Sequence, residues 1–417
     1  MVKSESLTAI GDTPPAALRD VARRLEQFRI ALASVVTDAR RPLPLPTLVY
    51  VFGSRAAIQP FLPLRDGRPV ALRGYFHRDA DVYALAMSVD EDGESASIVF
   101  HEYTHLLVQR ARALPIWLNE GLAEYFSTFA LGSRGRSADI GRPIARHVRL
   151  LRQRFLPLSQ LLAVSASSEL YDEGERRSIF YAEAWALTHY LMAEMPDGPA
   201  LINRYGAAAA DGGAPDEVFR DVFGVTPAEF EPRLREYVSR SMFRSRAYVF
   251  PARIDLGNVA SARILSQGEA DAWLGDLQRR VGRQAEAAAR IEQAVEEDPK
   301  SARVHIALGR LRLDQDRAAD ARTALLRAIE IDPASADALA WAAYAQMMTG
   351  NLPAARAAIA RALALEPERP DYRLRDADVA VLEGDLTRAR AVLVEVIATT
   401  TDPAVAARAR ERLNVIR

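Results

Sequence analysis

Hydrophobic spacing divides the chain into two regimes. Up to about residue 245 the apolar period keeps changing, whereas from about residue 268 one pattern recurs. In the first regime, residues 6–10 read as a short strand, and Asp12-Thr13-Pro14-Pro15 is a helix-start signature. Leu18, Val21, Leu25, Phe28 and Leu32 then fall on one stripe of a 3.6-residue period, which predicts an amphipathic helix over 17–36. After the proline-rich turn 42–46, the runs TLVYVF (47–52) and VYALAMSV (82–89) are short, continuous and rich in β-branched and aromatic residues, the pattern of buried strands. Helical patterns follow over 98–126, 178–194, 216–223 and 227–240. Periodicity fades over 241–267 around Pro251 and Gly257, where a joint between domains is predicted.

The second regime is a repeat. Pro299, Pro333 and Pro367 recur every 34 residues, as do Gly282, Asp316, Gly350 and Gly384, the alanines 287, 321, 355 and 389, and Ile291, Leu325, Ile359 and Leu393. Leu274-Gly275 returns as Leu308-Gly309, and then the pair drifts. The pattern resembles tetratricopeptide repeats, with small residues where two helices cross and a proline ending the second helix. Four repeats fit, 268–301, 302–335, 336–369 and 370–403, with a capping helix over 404–413.

Candidate chemistry is concentrated in IVFHEYTHLLVQRARALPIWLNEGLAEYF (98–126). Residues four apart stack on one face of a helix, so the imidazoles of His101 and His105 can converge on one ion at ~2.0–2.1 Å. Glu102 is offset around that helix, placed to act on water beside the ion without ligating it. A catalytic zinc normally has three protein ligands. Pro115 can open a second helix at no cost to its hydrogen bonding, and that helix returns Glu120 as the third ligand. Glu124 lies one turn further on and can accept the free ring N–H of a ligand histidine, with His101 as the expected partner. A solvated helix face is the plain alternative for Glu124. The alternative for the motif as a whole is a structural or decayed metal site.

HEYTH followed by PIWLNEGLAEYF resembles the gluzincin zinc metallopeptidases, especially the compact bacterial "peptidase MA-like" proteins. The resemblance gives His101, His105 and Glu120 as zinc ligands, with Glu120 inside a WLNEG block (117–121). It also implies an α+β, zincin-like domain with a small twisted sheet above the metal helix, in which 82–89 would be the edge strand that pairs with an extended substrate. Tyr181, opening the helix at 178–194, would donate its hydroxyl to the oxyanion, with His189 and Tyr171 as weaker candidates. The chain departs from the family in two respects. Its separation between His105 and Glu120 is shorter than in thermolysin or the aminopeptidases, which points to a minimal domain. The absence of a GxMEN-type segment upstream favours an endopeptidase over an aminopeptidase.

Composition adds exclusions. The 417 residues, 49% apolar, are ample for two cores, and the partition expected is a metallopeptidase domain over 1–245, a linker over 246–267 and a repeat domain over 268–417. With 54 basic against 55 acidic residues, no overall field recruits nucleic acid or an anionic membrane. The lack of cysteine excludes disulfides and thiolate ligands. No apolar run approaches membrane-spanning length and no export signal opens the chain, which therefore reads as soluble; the compartment stays open, the periplasm included if the start is trimmed. His77 lacks company at ligand spacing and reads as a loop histidine, while 132–142 reads as a flexible basic surface loop or a substrate lid. The functional expectation is a Zn2+-dependent peptidase acting on a peptide or protein substrate, with a protein partner in the tetratricopeptide groove. Its rival is an inactive zincin-like domain in a repeat-based scaffold.

Overall fold

A computed structural model describes residues 1–36, 43–65, 67–70, 72, 74–89, 94–108, 114–132, 136–165, 167–171, 178–250 and 262–416. By its internal contacts the chain forms two compact units, one of Met1–Arg19, Leu43–Asp90 and Ala260–Arg417, the other of Asp20–Pro42 and Glu91–Val259. The division differs from the expected one, because the strands before residue 90 group with the repeats and not with the helices over 98–126. A buried strand such as TLVYVF advertises that both its faces are covered without saying by what.

In the first unit, strands β1 (Val2–Lys3), β2 (Thr8–Gly11), β3 (Thr47–Phe52), β6 (Gly74–Arg78) and β7 (Tyr83–Ser88) form a sheet ordered β1-β2-β3-β7-β6. Strands β2, β3 and β7 are parallel, and β1 and β6 close the ends antiparallel. A short helix α2 (Arg55–Ile58) and a ribbon of β4 (Leu64–Arg65) and β5 (Arg68–Pro69) complete the crossover. Two expectations fail here. Segment 82–89 is not an edge, because β7 pairs with β3 on one side and β6 on the other, so its backbone groups are already used. His77 lies on β6 opposite Ala84, not in a loop; burial along GYFHR declines from Gly74 and Tyr75 to the half-buried Phe76, His77 and Arg78.

The repeats are helix pairs: α11 (Gln267–Arg280) with α12 (Gln284–Glu297), α13 (Ala302–Asp314) with α14 (Ala318–Ile331), α15 (Ala336–Met348) with α16 (Leu352–Leu365), and α17 (Pro370–Leu382) with α18 (Leu386–Thr399), followed by α19 (Pro403–Val415). Within each pair the chain reverses through a left-handed residue, Gly282, Gly350 and Gly384 at φ 76 to 81° and Asp316 at φ 58°. Gly275 and Gly309 let α11 and α13 approach Ile291 and Leu325; Ala343 and Ala377 hold the equivalent places, fully or almost fully buried, so the drifted repeats pack in the same way.

First helices of successive repeats pack on one another more closely than the second helices do, which puts α11, α13, α15 and α17 on the concave side. Part of that face is filled by the chain's own sheet. Tyr50, Phe52, Phe61 and Tyr75 share a core with Leu277 and Val281 of α11. The β6–β7 turn inserts Asp81, whose carboxylate accepts from Arg280 at 2.9 and 3.2 Å and Arg310 at 3.0 Å. Behind it the fully buried Asp276 takes Arg280, Arg279 and Arg303. Arg78 and Tyr83, flanking the turn, reach Asp402 before α19, so one hairpin touches both ends of the array.

The second unit takes α1 (Pro15–Val35) from Asp20 onward, with α3 (Glu94–Val108), α4 (Ile116–Phe126), α5 (Ala145–Leu151), α6 (Leu158–Leu162), α7 (Ile179–Glu194), α8 (Gly198–Ala210), α9 (Pro215–Phe223) and α10 (Pro227–Ser239). The predicted stripe of α1 brings Phe28 against Phe100 of α3, rings stacked at 4.7 Å, and against Phe129 edge-on. The helix expected to open at Pro115 begins at Ile116, with Pro115 as its cap, and packs on α7 at Gly121, where any Cβ would strike Thr188 and the Ala184 carbonyl. Segment 132–142 is no flexible loop in its described part: β9 (Ser137–Ile140) lies between β8 (Ala130–Leu131) and β10 (Arg246–Val249), with Ala138 and Ile140 fully buried. Residues 133–135 of it lie outside the described residues. Pairing through β10 also carries this unit past residue 245. Among the described residues no helix is long and apolar enough to cross a membrane.

Candidate metal centre

Apolar flanks bury α3 on the side that carries His101, and α4 crosses it so that Glu120 meets both imidazoles. The Nε2 atoms of His101 and His105 are 3.0 Å apart, and Oε2 of Glu120 lies 3.3 Å from the first and 3.5 Å from the second. The edge of a tetrahedron whose corners sit ~2.0–2.1 Å from a central zinc is about 3.3 Å, so the three atoms have the mutual spacing of three corners of a zinc coordination sphere. Two imidazole nitrogens and a carboxylate oxygen are also the donor set zinc prefers. Among the described residues this is the one group of three or more such side chains that could hold a metal ion. Glu102, next to His101, is half-buried on α3.

Electrostatics show how strongly the cluster calls for positive charge. Burial would raise the Glu120 carboxyl, but the His105 and His101 imidazoles hold it well below the usual carboxylate range. Burial would lower His105, and the Glu120 carboxylate outweighs it, so His105 is raised.

Glu124 turns one oxygen to His101, Oε1 lying 3.5 Å from Nδ1. Its other oxygen is 3.1 Å from Nε2 of His147, with Arg146 at 3.4 Å. Burial pushes the Glu124 carboxyl up, and the His147 hydrogen bond with the His101 and His147 imidazoles brings it below its ordinary value. Sequence reading missed His147: it stands 23 residues beyond Glu124, on another helix and at no ligand spacing.

Tyr171, one of the three oxyanion candidates, donates its hydroxyl to Oε1 of Glu120 at 3.1 Å. Tyr181, buried in the first turn of α7, stacks on the Tyr171 ring at 6.3 Å. His189 is elsewhere. Its Nε2 faces the Gly141 carbonyl at 2.5 Å and must carry the proton, so Nδ1 accepts from the Tyr237 hydroxyl at 2.6 Å. Burial pushes its pKa down to about 4. It is a neutral core histidine among Trp185, Tyr237 and Phe243.

Comparison with known proteins bears differently on the two halves. A family model for tetratricopeptide repeats matches residues 274–336 and 338–403, and these residues are such repeats. A family model described as a protein of unknown function, DUF1570, matches residues 95–211, the stretch holding every residue of the centre. No curated protein matches the chain. Similar solved structures include TTC0263, a tetratricopeptide protein of Thermus thermophilus, 20% identical over 35% of this chain and 81% of its own, TM-score 0.32. PilF of Pseudomonas aeruginosa is 20% identical over 36% of this chain and 68% of its own, also at TM-score 0.32.

Proposed function

We propose that the unit of Asp20–Pro42 and Glu91–Val259 is a zinc-dependent peptidase whose ligands are His101, His105 and Glu120. The observation carrying the proposal is the triangle of 3.0, 3.3 and 3.5 Å between their ligand atoms. Bound there, zinc supplies a Lewis acid that polarises the scissile carbonyl and lowers the pKa of water to ~7. Glu102 accepts the proton of the attacking water and returns it to the leaving amine. Tyr171, whose one hydroxyl proton goes to the Glu120 carboxylate, orients that ligand, and the oxyanion donor remains the one expected at Tyr181, whose ring stacks on that of Tyr171. Glu124 holds His101 with Nδ1 protonated and Nε2 free to ligate. Metal analysis of the purified chain tests the reading, with about one zinc per chain expected and peptide hydrolysis that stops when zinc is removed.

The tetratricopeptide repeats favour a second reading in parallel, recruitment of a protein or peptide partner. A partner using the concave face at α11 and α13 meets Arg280 and Arg310 only by displacing Asp79 and Asp81 of the chain's own hairpin. A chain that holds zinc in full and cleaves nothing in a diverse peptide library would leave a binding scaffold as the better account.

A further inference from the structure

We propose that His147 is a positioning residue for the metal centre, acting on His101 through Glu124. The inference rests on the zinc reading above and goes beyond it, since His147 lies outside the ligand triangle. Glu124 is buried and has two oxygens, and each faces one imidazole: Oε1 to Nδ1 of His101 at 3.5 Å, Oε2 to Nε2 of His147 at 3.1 Å. A carboxylate held at one oxygen can still rotate about its last bond. Held at both, its plane is fixed, and so is the direction from which Oε1 receives the His101 proton. Arg146 also approaches Oε2, at 3.4 Å, but its side chain is about half exposed and is a poorer anchor than a fully buried ring. The His147 ring is itself held, 5.9 Å from that of Trp185 on α7, so the chain of contacts runs from a rigid helix to the ligand.

Packing against Trp185 alone would give a buried histidine without any effect on metal, and the two accounts separate on zinc affinity. The experiment measures the dissociation constant for zinc of the full chain by chelator competition, with the melting temperature of the metal-free protein as a fold control. His147→Phe keeps the ring and its packing but removes the N–H, and zinc binding should weaken about 10-fold, the lower end of what loss of a ligand's own partner costs. His147→Gln, which restores an N–H, should bind within about 3-fold of the wild type. In a Glu124→Gln background His147→Phe should add little, because the carboxylate through which it acts is gone. Equal loss in both backgrounds, or no loss at all in a folded His147→Phe, overturns the inference. Should the phenylalanine variant fail to fold, His147→Asn, which draws its N–H back by one methylene, carries the same expectation. A wild type that binds no zinc overturns the peptidase reading and this inference together; a wild type that binds zinc beside an unaffected His147→Phe overturns the inference alone.

Discussion

Two buried clusters of charged and polar side chains invite comparison. Under the β6–β7 turn, the four carboxylates of Asp79, Asp81, Asp276 and Asp314 meet the four guanidiniums of Arg279, Arg280, Arg303 and Arg310. Positive and negative groups balance, and the cluster needs nothing from outside. At the metal centre two imidazoles and the Glu120 carboxylate point their acceptor atoms at one another, with Glu124 close behind. Such convergence is costly unless a cation occupies the middle. Burial of charge is common to both clusters; they differ in charge balance, which is complete under the turn and, on the proposed reading, is completed by the ion at the other.

The comparison can be broken most directly at the metal centre. Glu120→Ala or His105→Ala should abolish stoichiometric zinc, read by elemental analysis, and full retention would remove that ligand from the assignment. Tyr181→Phe should keep zinc and lose about 10²–10³-fold in kcat, the worth of one oxyanion donor; an unchanged kcat would return Tyr181 to a packing role. At the balanced cluster the outcome reverses. Asp81→Ala leaves buried guanidiniums uncompensated and should cost about 3–5 kcal/mol of stability in denaturant unfolding while leaving zinc content untouched.

Acidification sharpens the same contrast. Although burial alone would raise them, Asp81 and Asp276 are held low by Arg280 and Arg310. Their folded pKa values lie below the unfolded ones, so their stability is present above pH ~3.9 and is lost as pH falls through the folded values. His189, pushed down to about 4 by burial, stays neutral in the fold while the unfolded chain takes up its proton near ~6.5. Stability should therefore begin to fall between pH ~6.5 and 4, and His189→Phe should flatten that segment of the profile. The smallest effect is expected at Gly309→Ala, about 1 kcal/mol, since the repeats that carry alanine at this place show that the helices can part to admit a methyl.

Legibility followed sequence distance. His101, His105, Glu120 and Glu124 fall within 24 residues, where helical spacing alone fixes who faces whom, and the four side chains converge. The repeats were legible because a 34-residue period restates itself, and their helices begin within a residue of the predicted units. Tyr171 and His147 reach the centre from 51 and 23 residues beyond their partners, through connections that carry no periodicity. Strand β6 was hidden because its five residues open on glycine and show no alternation, and missing it turned the inner strand β7 into an edge. Nothing in TLVYVF announces that its sheet shares a core with α11, more than two hundred residues away.

The central claim, that this is a hydrolytic zinc centre and not a metal-bound relic, is tested most directly by Glu102→Gln, measured for zinc content and for hydrolysis of a peptide the wild type cleaves. The substitution keeps size and packing and removes the proton acceptor, so zinc should stay near one per chain while the rate falls ~10²–10⁴-fold. Hydrolysis at the wild-type rate with zinc in place would contradict the account.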